Sequence, residues 1–132
     1  IDSVLPSGGL LQPAGREATA AGDGMQSHLN ISLREQGNGI VIELDGELDL
    51  ASSPRLERAL EQAWRERPRL VVFDLGNLSF VDMTGVRVLL SAQEQAEREP
   101  RELVLANVGD PIRRVLKLAR VTGLLSILED AP

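Results

Sequence analysis

Phe73-Asp74-Leu75-Gly76-Asn77-Leu78-Ser79-Phe80-Val81-Asp82-Met83-Thr84-Gly85-Val86 decides the fold, because it carries an apolar strand into a short polar loop and then into a helix pattern. Upstream, Leu70-Val71-Val72-Phe73 is a continuous apolar run, which predicts a parallel strand covered on both faces. Downstream, Val86, Leu89, Leu90, Gln93 and Ala96 share one face of a helix predicted from about Thr84 to Glu97, closed by Pro100. Two readings fit the Asp82-Met83-Thr84-Gly85 corner between them. In the first, Asp82 caps the helix by accepting from free backbone N–H groups, Thr84 is an ordinary first-turn residue and Gly85 permits close strand–helix packing. In the second, the partial positive charge of the helix start favours a phosphate there. A phosphoryl group would add roughly −1.5 to −2 charges beside Asp82 and change any protein interface covering the corner.

The same alternation of strand and helix signals extends in both directions. Leu29, Ile31 and Leu33 alternate with polar residues as in a half-buried strand. Gly37-Asn38-Gly39 is a hairpin turn, and Ile40 to Leu44 forms a second strand continuing toward Leu48. Ser53-Pro54 marks a helix start, with Ser53 as the capping hydroxyl and Pro54 in first position. Leu56, Ala59, Leu60, Ala63 and Trp64 then make one apolar helix face. Beyond the corner, Leu103-Val104-Leu105-Ala106 is another buried strand, and Asp110-Pro111 opens a third helix through Ile112, Val115, Leu116 and Ala119. Gly123 is the predicted C-terminal cap of that helix, and Leu124 to Leu128 is an apolar terminal element of unassigned type. The order β-β-α-β-α-β-α predicts a small α/β domain, with a mixed sheet and helices packed on it. The domain is expected over residues 29–130. Residues 1–28, interrupted by Pro6, Gly8, Gly9, Pro13, Gly15, Gly22 and Gly24, are expected to be a flexible tail or linker. Ile1 leaves open an excised piece or vector-derived residues, with Met25 a candidate start.

Composition narrows the chemistry. A chain of 132 residues with 42% hydrophobic residues can bury one modest core, and with only 2% aromatics that core is aliphatic. So few aromatics argue against a site that stacks bases, sugars or flavins. A net charge of −6 disfavours direct nucleic-acid binding and anionic membranes. The absence of cysteine removes disulfides, thiolate metal sites and cysteine nucleophiles, and a lone His28, which would have to act from a predicted tail, argues against a histidine triad or a multi-histidine metal site. No apolar run reaches the about 18 residues of a membrane span, and no secretory signal is visible, so a cytoplasmic location is expected.

The acidic residues have bland roles available. Asp45, Glu47, Asp49 and Asp74 follow predicted strands, as carboxylates around a magnesium ion would. Such a pocket also needs an acidic pair after the first strand of a parallel sheet and a strand-end lysine, whereas the only lysine, Lys117, lies mid-helix. Surface or turn carboxylates are the better reading. No Gly-x-Gly-x-x-Gly turn or Walker loop follows a strand, so no catalytic residue, metal or cofactor is expected. Nucleotide binding is left without a motif. Arg113, Arg114, Lys117 and Arg120 on the third helix read as a solvated basic face, or more sharply as a contact for an acidic partner or a nucleotide phosphate.

Three separated motifs together resemble a known family. Gly46-Glu47-Leu48-Asp49 before a helix, Leu78-Ser79-Phe80-Val81-Asp82-Met83-Thr84-Gly85, and Asp110-Pro111-Ile112-Arg113-Arg114-Val115-Leu116 followed by Thr122-Gly123-Leu124 are similar to the STAS domain of bacterial anti-sigma factor antagonists. The resemblance implies a binding module rather than an enzyme. Such an antagonist captures an anti-sigma factor, often a serine/threonine kinase, and so frees a sigma factor. Phosphorylation in the loop before the second helix breaks the capture. The resemblance centres the partner surface on Asp82, Met83, Thr84 and Gly85, and residues near Asp49 to Ser53, Asp49 and Ser52 among them, are expected on the same rim because both segments follow strands expected to be parallel neighbours.

Met83 departs from the family pattern, whose corner usually reads Asp-Ser-Ser-Gly or Asp-Ser-Thr-Gly with the hydroxyl after the Asp as acceptor. Three explanations stand open: Thr84 is the acceptor instead, the protein is never phosphorylated, or Met83 fits an altered partner through its adaptable thioether. Loss of the usual switch is the favoured expectation, with Thr84 the weaker candidate for phosphorylation. A turn of about 100° per helical residue aims Thr84 away from the usual acceptor direction. The alternative in another class is a regulatory STAS domain of an anion transporter, or of a multidomain sigma-factor regulator.

Overall fold

A computed structural model describes residues 28–129, and the tail expected before them and the candidate start at Met25 lie outside the described residues. The elements are β1 (Leu29–Gln36), β2 (Gly39–Leu48), α1 (Ser53–Arg65), β3 (Leu70–Val81), α2 (Met83–Glu97), β4 (Glu102–Ala106), α3 (Asp110–Leu118) and a 3-10 turn at Thr122–Leu124. Their order is the β-β-α-β-α-β-α read from the sequence, and the sheet runs β1-β2-β3-β4. β1 and β2 are antiparallel across the two-residue Gly37-Asn38 turn, while β2–β3 and β3–β4 are parallel. Gly37 takes a positive φ of 66° there, as a tight hairpin turn favours. The terminal element left unassigned is an extended edge: Leu105 N–H donates to Ser126 O at 2.9 Å and Leu128 N–H to Leu105 O at 2.8 Å.

The core lies on one face of the sheet. Ile31, Ile42, Leu44, Phe73 and Leu105 join Leu56 and Leu60 of α1, Val86 and Leu89 of α2, and Ile112 and Leu116 of α3 in a single buried cluster. The continuous apolar runs predicted cover on both faces. The structure differs, because Val72 and Val104 of the opposite face are only half-buried and stay outside that cluster.

Four local expectations need correction. The polar loop after Phe73 is strand: β3 runs on to Val81 and pairs Asn77, Leu78, Phe80 and Val81 with the end of β2. Its buried residues Leu75, Leu78 and Val81 recur every third position, so two register shifts, between Glu43 and Asp45 and between Gly46 and Glu47, accommodate them. Gly46 sits in this irregular stretch with φ at 125°, and the His28 backbone occupies the place a Cβ would need. Second, the N-cap position of α1 is Ser52 rather than Ser53, and its side chain makes no capping hydrogen bond; Ser53 is already helical and Pro54 follows it. The Ser53 hydroxyl is buried with no hydrogen-bond partner among the described residues. Third, α2 begins at Met83, one residue before the expected Thr84. Fourth, α3 is closed by Arg120 rather than Gly123. Arg120 takes φ at 61°, and the N–H groups of Arg120 and Val121 return to Lys117 O and Leu116 O at 3.0 and 3.1 Å.

Candidate protein interface

Asp82 joins two segments that are 32 residues apart along the chain. It stands between β3 and α2 in an extended conformation, as a helix N-cap does. One carboxylate oxygen accepts the Gly85 N–H at 2.9 Å and the other accepts the Leu50 N–H at 3.1 Å. Its own N–H donates to Leu48 O at 3.1 Å. A single side chain therefore caps α2 and pins the β2–α1 loop against it. Gly85 makes the approach close enough, since a Cβ there would fall 2.7 Å from Leu48 O and from Val81 Cγ2.

The β2–α1 loop is self-supporting. Asp49 Oδ1 accepts the Ser52 N–H at 3.0 Å, while the Ser52 hydroxyl accepts the Asp49 N–H and donates to Glu47 O, both at 2.9 Å. Ser52 is fully buried, so its side chain shapes the loop and presents nothing to a partner. Asp49 is half-buried and partly committed to the same turn. Thr84, the second residue of α2, is half-buried, and Gly85 is buried.

What the corner exposes is apolar. Leu50, Phe80 and Met83 are 71%, 47% and 53% exposed; Met83 follows Asp82, Phe80 lies two residues before it, and the Leu50 N–H donates to the Asp82 carboxylate. The sequence singles out Met83 and puts Leu50 only within the 49–53 stretch on the rim, while Phe80 is not among its site residues. The signal for Leu50 and Phe80 was an apolar side chain with no periodic partner, one in a turn and one next to inward-facing Val81. Exposed apolar side chains on segments held by a fixed polar anchor suit protein docking.

The other candidate groups are accounted for differently. Asp74 accepts from Gly76 N–H and Asn107 Nδ2, both at 3.0 Å, and so stabilises the turn region at the β4 end. Among the described residues no three Asp, Glu or His side chains gather to hold a metal ion. On α3, Arg113 pairs with Glu129 at 3.3 Å, while Arg114 and Lys117 are exposed. An open groove of about 590 Å³ between α1 and α2 is lined by Glu57, Arg58, Glu61, Glu94 and Arg98 among others, a mixed-charge rim unlike the apolar cleft of a small-molecule site. No described helix is long and apolar enough to cross a membrane.

Comparison with known proteins agrees with this architecture. The family model of the STAS domain matches residues 30–130. The anti-sigma-B factor antagonist of Listeria monocytogenes is 30% identical over 103 residues, covering 77% of this chain and 88% of that protein. An anti-sigma factor antagonist from Mycobacterium paratuberculosis superposes with a TM-score of 0.70 at 20% identity, over 77% of this chain and 86% of the other. A sulfate transporter family protein from Wolinella succinogenes does so with a TM-score of 0.59 at 21% identity, over 70% and 78% of the two chains. At these identities the two solved structures speak to the fold.

Proposed function

This chain belongs to the STAS domain family, and from that premise we propose that it is an anti-sigma factor antagonist: a non-enzymatic cytoplasmic protein that captures an anti-sigma factor and thereby releases a sigma factor. The observation that carries the reading is the exposure of Leu50, Phe80 and Met83, apolar residues on the two segments that Asp82 ties together. Burying such side chains in a partner supplies the affinity, and the hydrogen bonds of Asp82 hold the rim in one shape before the partner arrives, which lowers the ordering cost of binding. The relative from Listeria monocytogenes named an anti-sigma-B factor antagonist supports the same role. The partner is proposed to be of the serine/threonine kinase type. The direct test is whether the chain displaces a sigma factor from such an anti-sigma factor.

Phosphorylation at the residue after Asp82 has no acceptor, because Met83 carries no hydroxyl. Thr84 is the neighbouring alternative, half-buried in the first turn of α2. We expect it to stay unmodified, so that capture is not switched by phosphate. Incubation with the cognate kinase and ATP, followed by intact mass, should show no added phosphate. A phosphate mapped to Thr84 would restore a phospho-switch displaced by one residue.

The transporter reading is favoured by one observation, a corner without the acceptor hydroxyl in a fold shared with the Wolinella succinogenes protein. A long membrane region upstream in the full gene would support it.

A further inference from the structure

We propose that Met83 is a reversible oxidation site, at which conversion of the thioether to a sulfoxide releases the docked partner. The inference rests on the anti-sigma reading and adds a regulation of that same surface. Met83 is 53% exposed at the first position of α2, so its sulfur is open to a small oxidant in the free protein. The other exposed apolar residues of these segments, Leu50 and Phe80, are inert to mild peroxide. The chain has no cysteine to intercept the oxidant, and its only other methionine is Met25. Trp64 is partly buried with Arg101 stacked 4.8 Å above its ring. Oxidant chemistry within the described residues therefore converges on one atom, at the centre of the proposed interface.

The step balances with hydrogen peroxide as oxidant. A sulfur lone pair attacks one peroxide oxygen, the S–O bond forms as the O–O bond breaks, and water leaves. Sulfur is oxidised by two electrons and the peroxide is reduced by two. The product replaces an adaptable apolar side chain with a polar one carrying a strong acceptor. An acceptor buried without a donor in an interface carries a desolvation cost, so affinity should fall by about 10-fold or more. The fold should not respond, because Met83 lies outside the core cluster.

The test uses the full chain with Met25→Leu, which leaves Met83 as the only methionine. Hydrogen peroxide is added until intact mass shows one added oxygen. The chain is then titrated against the kinase-type anti-sigma factors of its source organism in three states: reduced, oxidised, and treated with methionine sulfoxide reductase. The expected result is tight binding when reduced, a loss of about 10-fold or more when oxidised with an unchanged melting temperature, and recovery after reductase. A Met83→Leu chain, whatever its own starting affinity, should not respond to peroxide. Tight binding that survives oxidation of Met83 overturns the oxidation switch alone. Failure of the reduced chain to bind any of these factors overturns the anti-sigma reading, and the switch with it.

Discussion

Met83→Glu is expected to weaken capture of the anti-sigma factor by about 100-fold while leaving the domain folded, a loss of ~2.8 kcal/mol at ~1.4 kcal/mol per tenfold. The two effects separate because of where Met83 stands. Its side chain is 53% exposed and takes no part in the core, so folding loses no buried contact. It is also the first residue of α2, where a carboxylate interacts favourably with the helix dipole by about 0.3–1 kcal/mol. Stability should therefore hold or rise slightly in thermal melts. Binding responds oppositely, since closing a partner over Leu50, Phe80 and a new carboxylate buries an unpaired charge. Calorimetric titration with a melting curve on the same sample reads both quantities. Unchanged affinity would remove Met83 from the interface.

Gly85→Ala should destabilise the domain by about 1–3 kcal/mol, through the overpacking of a tight contact. Helix propensity alone predicts the reverse, since alanine is better than glycine in a helix interior by about 1 kcal/mol. Packing wins here because the added Cβ meets the Leu48 carbonyl oxygen at 2.7 Å, a backbone atom held in β2, as well as Val81 Cγ2 at 2.7 Å and Leu48 Cγ at 2.8 Å. The start of α2 must then lift from the end of the sheet. That movement strains the Asp82 N–H bond to Leu48 O and the Leu50 N–H bond to Asp82, so docking should weaken together with stability. For a domain near 100 residues the melting temperature falls by about 4–8 °C per kcal/mol. A rise in melting temperature would show that the seat is looser than the 2.7 Å approach implies.

The parts of this molecule that were legible in the sequence are those governed by a single local rule. Strict alternation gave β1, the Gly37-Asn38 turn gave the hairpin, and helical spacing gave the buried faces of α1 and α2. The capping role of Asp82 was also readable, because a short carboxylate before an apolar helix face has few other uses. The errors arose where tertiary pairing overrides local pattern. Residues 74–81 look like a loop because their buried positions are three apart, and only the shifted register against β2 makes them strand. Gly123 looked like a cap by residue type, yet Arg120 takes the left-handed conformation, leaving Gly123 inside the 3-10 turn. Ser53 looked like the cap because it precedes Pro54, although the Ser52 hydroxyl ties the loop to Glu47 and Asp49 one residue earlier.

The candidate site divides along the same line. Asp82, Met83, Thr84 and Gly85 are contiguous, so one motif exposed them all. Leu50 falls within the 49–53 stretch expected on the rim from the parallel strands, but its exposed side chain and its hydrogen bond to Asp82 across 32 residues are visible only in the structure. Ser52 was placed on the rim by its neighbourhood, but full burial gives it an internal role in supporting the loop. The resemblance proposes the surface as a region of the fold, whereas the division of labour within it comes from burial and hydrogen bonding.

This corner is proposed to capture an anti-sigma factor and to liberate the sigma factor that factor was holding. The most direct measurement is a competition in which the chain is titrated into a preformed complex of the organism's kinase-type anti-sigma factor and its labelled sigma factor, with free sigma factor followed by fluorescence anisotropy. Saturable release, with the anti-sigma factor recovered bound to this chain, is the predicted result. A complex that stays intact at saturating concentrations of the folded chain, across every such pair the organism encodes, would contradict it.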